Sequence, residues 1–112
     1  MENIEKRRSP RHHFIASAEV EDLAMGSRLP SRISDISAGG CYVDTVNPFL
    51  NGTHVRVRIF NASQQFEASA RVAYTHLHLG MGLQFQEIAP EQRAVLQSWL
   101  PAEAASELHA EA

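Results

Sequence analysis

The residue types that could do chemistry fall in two places, a group of arginines near the start of the chain and a polar turn further along. Arg7 and Arg11 stand with three residues between them, and Arg8 lies inside that interval. A guanidinium is a planar fork of donors that can grip phosphate oxygens or the O6/N7 edge of guanine, and it can stack on a purine face. In DISAGGCYV, residues 35 to 43, Asp35 can accept from guanine N1–H and the exocyclic amine. Ser37 adds a hydroxyl, and Gly40 lets the backbone come close to a ring. Together the two segments complement a guanine nucleotide that carries phosphate. Taken singly, each has a plainer reading: the arginines as solvated charge, the DISAGG stretch as a structural turn in which Asp and Ser bond nearby backbone.

Other chemistries have less to work with. Among the six histidines, His12 and His13 are neighbours that a strand would point to opposite faces, and His76 and His78 share a face near a loop without a third ligand. No metal site is expected from them. Asp35 and Asp44 stand nine residues apart, and no further motif divides them into an acid and a base, so no catalytic residue is assigned. Cys41 is the only cysteine and sits in an apolar run, which reads as a small buried side chain and excludes an internal disulfide.

The elements that must position these residues follow from length and periodicity. A chain of 112 residues, 44% hydrophobic and 21% charged, suits one soluble domain with a single core and a single surface for its task. No apolar run approaches a membrane span, and the charged start MENIEKRRSPR has no apolar h-region after it, so a cytoplasmic location is the expectation. The net charge of −3 hides a basic start, with Lys6, Arg7, Arg8 and Arg11 against Glu2 and Glu5, and an acidic end, with four glutamates against Arg93 in residues 90–112. That distribution argues against DNA or RNA as partner, whose affinity grows with the phosphates neutralised, but admits a small anionic ligand.

Residues 1–12 read as a flexible basic arm, because they are nearly devoid of apolar groups and Pro10 lacks a backbone donor. Alternation then predicts six strands: Phe14–Val20, Leu29–Ile36, one through Cys41 and Val43, HVRVRIF at 54–60, FEASARVAY at 66–74, and one carrying Met81, Leu83 and Phe85 inward. Phe66, Ala68, Ala70, Val72 and Tyr74 are expected to share one face. Met25-Gly26-Ser27, Asn51-Gly52 and Asn61-Ala62-Ser63 mark turns. Strands without interposed helices indicate an all-β antiparallel sheet closed as a barrel or stacked as a sandwich. APEQRAVLQSWLP then supplies one helix, with Pro90 in its first turn and an apolar stripe of Val95, Leu96, Trp99 and Leu100 to lay on the sheet. Residues 13–100 thus form the ordered domain, and 101–112 a frayed acidic tail.

RRSPR at 7–11 followed by DISAGG at 35–40 resembles the PilZ domain, whose signature is an RxxxR segment before the first strand and a [D/N]xSxxG turn between the second and third. ARVAY at 70–74 resembles that family's fifth strand and GMGLQF at 80–85 its closing strand, so the likeness runs from about residue 6 to 100. The resemblance implies a six-stranded antiparallel β-barrel with a C-terminal α-helix, a receptor for cyclic di-GMP without catalysis. It gives Arg7 and Arg11 guanine and phosphate groups to hold, and Asp35, Ser37 and Gly40 a guanine edge to read. Arg8 lies within the motif, and Tyr74 sits where the family often places a side chain near the ligand. It further implies that the arm orders on binding and relays the signal to a protein partner. Two other readings are a nucleotide-independent interaction barrel, such as a pilus or motility adaptor, and a small nucleic-acid-binding barrel, for which HVRVRIF supplies little basic and aromatic interleaving.

Overall fold

In β4 (His54–Asn61), Val55, Val57 and Ile59 are fully buried while Arg56 and Arg58 between them are not. This two-residue period recurs in β1 (His12–Asp22), β2 (Arg28–Ile36), β3 (Gly40–Asp44) and β5 (Gln64–His76), while in β6 (Gly80–Glu87) Met81 and Leu83 are buried and so are Gly80 and Gly82 beside them. A sheet with one apolar face must cover it, and here it does so by closing on itself. The computed structural model, which describes residues 10–101, is a closed antiparallel barrel in the order β1-β2-β3-β6-β5-β4. The barrel, and not the sandwich, is therefore the outcome. Its interior holds Val20, Ile33, Ile36, Val43, Val55, Val57, Ile59, Phe66, Val72 and Met81, none of them exposed. Burial of such a side chain stabilises by roughly 1.5–3 kcal/mol, which makes this inner face the main source of stability.

The connections alternate between the two ends of the barrel. The β1–β2, β3–β4 and β5–β6 connections lie at one end, which we call the mouth, and the β2–β3 and β4–β5 turns lie at the other. Gly26 (φ 78°) and Gly52 (φ 87°) take the left-handed conformations their turns require. After β6, α1 (Pro90–Trp99) packs at the end opposite the mouth. Pro90 opens it with a preset φ, and Glu91 stands near the positive end of its dipole. Leu96 is fully buried, Leu100 nearly so, and Val95 and Trp99 are half-buried against the core, as the stripe predicted. Trp99 stacks on Phe14 at 5.2 Å between centroids and donates Nε1–H to Gln64 Oε1 at 2.9 Å. The expected arm and tail, together with Arg7 and Arg8, fall largely outside the described residues.

Four register shifts interrupt the alternation: between His13 and Ala16 along β1, between Ile33 and Asp35 along β2, and along β5 between Ser69 and Ala70 and between Val72 and Tyr74. An extra residue in one strand re-aims the side chains beyond it. This corrects the placement of Tyr74. The period carries Phe66, Ala68, Ala70 and Val72 inward, but the shift leaves Ala73 unpaired and sets Tyr74 opposite Gly82, on the outer face.

Candidate ligand-binding site

The strand registers assemble a row across the outside of the barrel: His13 opposite Asp35, Asp35 opposite Tyr42, Tyr42 opposite Gly82, and Gly82 opposite Tyr74. A second row, one step nearer the mouth, runs Arg32, Asp44, Gly80 and His76. Opposite residues in an antiparallel pair share a face, so polar and aromatic groups from five strands meet here. The glycines on β6 make this possible. A Cβ on Gly82 would collide with the Tyr74 ring, and one on Gly80 would lie 2.7 Å from a ring carbon of Tyr42. With nothing but backbone beneath them, the Tyr42 and Tyr74 rings lie over β6 with centroids 6.2 Å apart, and His76 sits 5.2 Å from Tyr74 and 5.9 Å from Tyr42.

Arg11 comes to this surface from just ahead of β1. Its Nη2 donates to Tyr74 Oη, and its guanidinium carbon stands 5.6 Å from the centre of the Tyr74 ring. Nη1 lies 3.7 Å from Asp35 Oδ2, with the two side chains 29% and 26% exposed. At that separation the charges attract but no hydrogen bond forms. Asp35 Oδ1 is buried with no partner, an acceptor that has lost water and gained nothing in exchange. On the other side of Tyr42, Asp44 is occupied: Oδ2 accepts from Arg32 at 3.0 Å and Oδ1 from Ser34 Oγ at 3.1 Å. Tyr42 Oη is bonded to His76 Nδ1 at 3.0 Å. Partial burial, then Tyr74 and Asp44, push the Tyr42 phenol above its ordinary range, against a smaller pull downward from Arg11.

The DISAGG turn divides its residues between two tasks. Ser37 Oγ accepts from the N–H groups of Gly39 (3.2 Å) and Gly40 (3.1 Å) and donates to Gly40 O (3.3 Å), while Ser37 N–H donates to the same carbonyl at 2.8 Å. One donor and two acceptor positions are all a hydroxyl has, so Ser37 is fully engaged in closing the β2–β3 turn. Gly40 is glycine because β6 passes so near that a Cβ would strike the Leu83 carbonyl. Of the three motif positions in the turn, only Asp35 presents chemistry outward. The sequence reading missed Tyr42, His76, Gly80 and Gly82. Signals for three of them were present, since Tyr42 lies between the inward Cys41 and Val43, and glycines inside a strand mark close approach.

The arginines of HVRVRIF are not free cations. Arg58 pairs with Glu19 at 3.0 Å, Glu21 at 3.4 Å and Glu67 at 3.7 Å, and Arg56 with Glu67 at 3.7 Å. Among the described residues no three His, Cys, Asp or Glu side chains lie placed to hold a metal ion, and no helix is long and apolar enough to cross a membrane.

A closed six-stranded antiparallel barrel with one C-terminal helix, its polar and aromatic groups displayed outside a filled interior, is a small β-barrel domain with an open surface site. The PilZ domain family model matches residues 5–101, and the chain belongs to that family. Solved structures agree in fold. YcgR from Escherichia coli in complex with c-di-GMP superposes with a TM-score of 0.70 at 18% identity, over 95% of this chain and 50% of that one. The inhibitor of motility MotI/DgrA from Bacillus subtilis gives 0.67 at 24% identity, over 82% and 48%. The isolated PilZ domain of E. coli YcgR with c-di-GMP gives 0.68 at 18% identity, over 95% and 96%. This chain thus spans about half the length of the first two and nearly all of the third. No curated protein sequence matches it.

Proposed function

We propose that this domain is a receptor for cyclic di-GMP, bound on the outer face between the arginine segment and the β2–β3 turn. The observation that carries the reading is the meeting of Arg11, Asp35 and Tyr74, from the start of the chain, β2 and β5 respectively, at one spot on the surface. Each answers a different part of the ligand. Asp35 faces guanine N1–H and N2–H, and a donor reaching Oδ1 would satisfy an acceptor that now has none. Arg11 and, by their place in the RxxxR motif, Arg7 and Arg8 answer the phosphates and the O6/N7 edge. Tyr74 and Tyr42 offer ring faces to a purine. Ser37 and Gly40 contribute by fixing the turn that carries Asp35. Membership of the PilZ family, and c-di-GMP in the YcgR structures, support the same ligand. No residue in this reading performs catalysis.

The arm would then order over the ligand and alter the surface offered to a downstream protein. Calorimetry of the full chain with cyclic di-GMP is the test. Binding is expected, and Arg7→Ala, Arg11→Ala and Asp35→Ala should each weaken it more than about tenfold, the scale of one charge-assisted contact of ~1.5–3 kcal/mol. Absence of heat at high protein concentration would sink the proposal, and full affinity in all three variants would move the site elsewhere. Amide shifts in the arm during the same titration, read by NMR, test the ordering step.

A further inference from the structure

The mouth of the barrel has a surface unlike the rest. Of the eight large apolar side chains exposed among the described residues, six stand on its three connections: Leu23, Met25, Val46, Leu50, Leu77 and Leu79, between 44% and 78% exposed. The other two, Ile15 and Phe60, lie on strands. Hydrogen bonds weld the connections into one end. Leu23 N–H donates to His54 O at 3.0 Å, Thr45 N–H to Leu79 O at 3.1 Å, and Gly52 N–H to Val72 O at 2.7 Å. Thr75 Oγ1 binds Phe49 O at 2.7 Å, and the half-buried Phe49 packs against the core from this side. The apolar groups therefore project from a braced platform.

We infer that this mouth is a self-association surface, on which a second copy of the chain docks mouth to mouth about a two-fold axis. Three observations favour a second copy. Six side chains of this size and exposure present several hundred Å², the order of the roughly 800 Å² each partner contributes to a standard interface. Their kind is Leu, Met and Val with no Trp or Tyr, the apolar composition of homodimer contacts and not the aromatic anchors of hot spots between unlike proteins. A lipid surface would call for Trp, Tyr, Lys or Arg among the loops, and residues 23–27, 45–53 and 77–79 contain none of them.

The charges around the mouth also permit like to meet like. Asp44 is neutralised by Arg32, and Asp22 Oδ1 accepts from the N–H groups of Ala24 (2.9 Å) and Met25 (3.2 Å). Asp22 and the exposed Arg28 end and begin the two strands of this hairpin, so the rim carries both signs of charge and a two-fold contact need not set like charges against each other. The inference stands apart from the nucleotide reading, since none of the six apolar residues belongs to the proposed ligand site.

Sedimentation velocity of the full chain, across concentrations up to millimolar and without nucleotide, tests it. A dimer that forms with rising concentration is expected, and Met25→Glu and Leu77→Glu should each raise its dissociation constant at least ~tenfold. Ile15→Glu, on a strand away from the mouth, should leave it unchanged, with far-UV circular dichroism showing all three variants folded. A monomer at every concentration would overturn the inference, as would a dimer indifferent to both mouth substitutions. Pelleting with phosphatidylglycerol vesicles in place of self-association would overturn it in favour of a lipid surface.

Discussion

The DISAGG motif looks like one device in the sequence, but its residues answer to different neighbours. Ser37 is buried and its oxygen is wholly engaged within the turn, so Ser37→Ala should lower stability by about 1–3 kcal/mol through the Gly39 and Gly40 amides it orphans, measured by urea unfolding. Asp35 is the position whose loss should instead reduce ligand affinity. Gly82 belongs to this scale too, although it lies on another strand. Because a side chain there would occupy the space of the Tyr74 ring, Gly82→Ala should shift Tyr74 resonances and near-ultraviolet dichroism while the barrel stays folded. An unaltered Tyr74 signal would show that the ring does not rest on β6. A motif scan finds Asp35 and Arg11 from residue type and spacing alone. It cannot tell a serine that faces a ligand from one that faces its own backbone, because that distinction is made by where Gly39 and Gly40 point their N–H groups.

Elements followed the sequence wherever one period governed a whole segment. All six strands and the helix are legible in the apolar alternation and in the Pro90 start. Tyr74 was not, because a single unpaired residue at Ala73 reverses the face without changing the composition. The pairing of Asp35 with Tyr42 also depends on such a shift, after Ile33, although the motif marks Asp35 itself. Closure into a barrel was likewise out of reach of periodicity, since a sandwich strand has the same two-residue repeat; it is the pairing of β1 with β4 that closes the circuit. The helix carries its own forecast. Ala89 occupies the N-cap with extended backbone and no side-chain acceptor, leaving first-turn amides without a cap. Ala89→Ser should therefore stabilise the protein by about 0.5–2 kcal/mol in thermal or urea unfolding, and a loss of stability would mean the helix start is arranged otherwise.

At the scale of the whole molecule, the interior sets the response to alkali. Burial, helped by Asp35 and opposed by Arg11, pushes the Cys41 thiol well above its ordinary 9.0. Above pH 9.0 the unfolded chain releases that proton while the folded one retains it. The folded state then binds more protons, and stability falls by up to ~1.4 kcal/mol per pH unit. Urea unfolding of the wild type and Cys41→Ala from pH 8 upward should show the slope reduced in the variant, and equal slopes would mean the thiol is not shielded. In the native protein Cys41 should resist alkylation for the same reason. The continuous circuit of six strands has a further effect, on how such a domain can change over generations. Sliding any one strand would require its two seams to move together and would turn its inner side chains outward, so the spacing between Asp35, Tyr42 and Tyr74 cannot drift by small steps. Variation in what the outer row recognises is thereby confined to exchanging side chains in place and to Arg11, which stands just ahead of β1 and outside its seams.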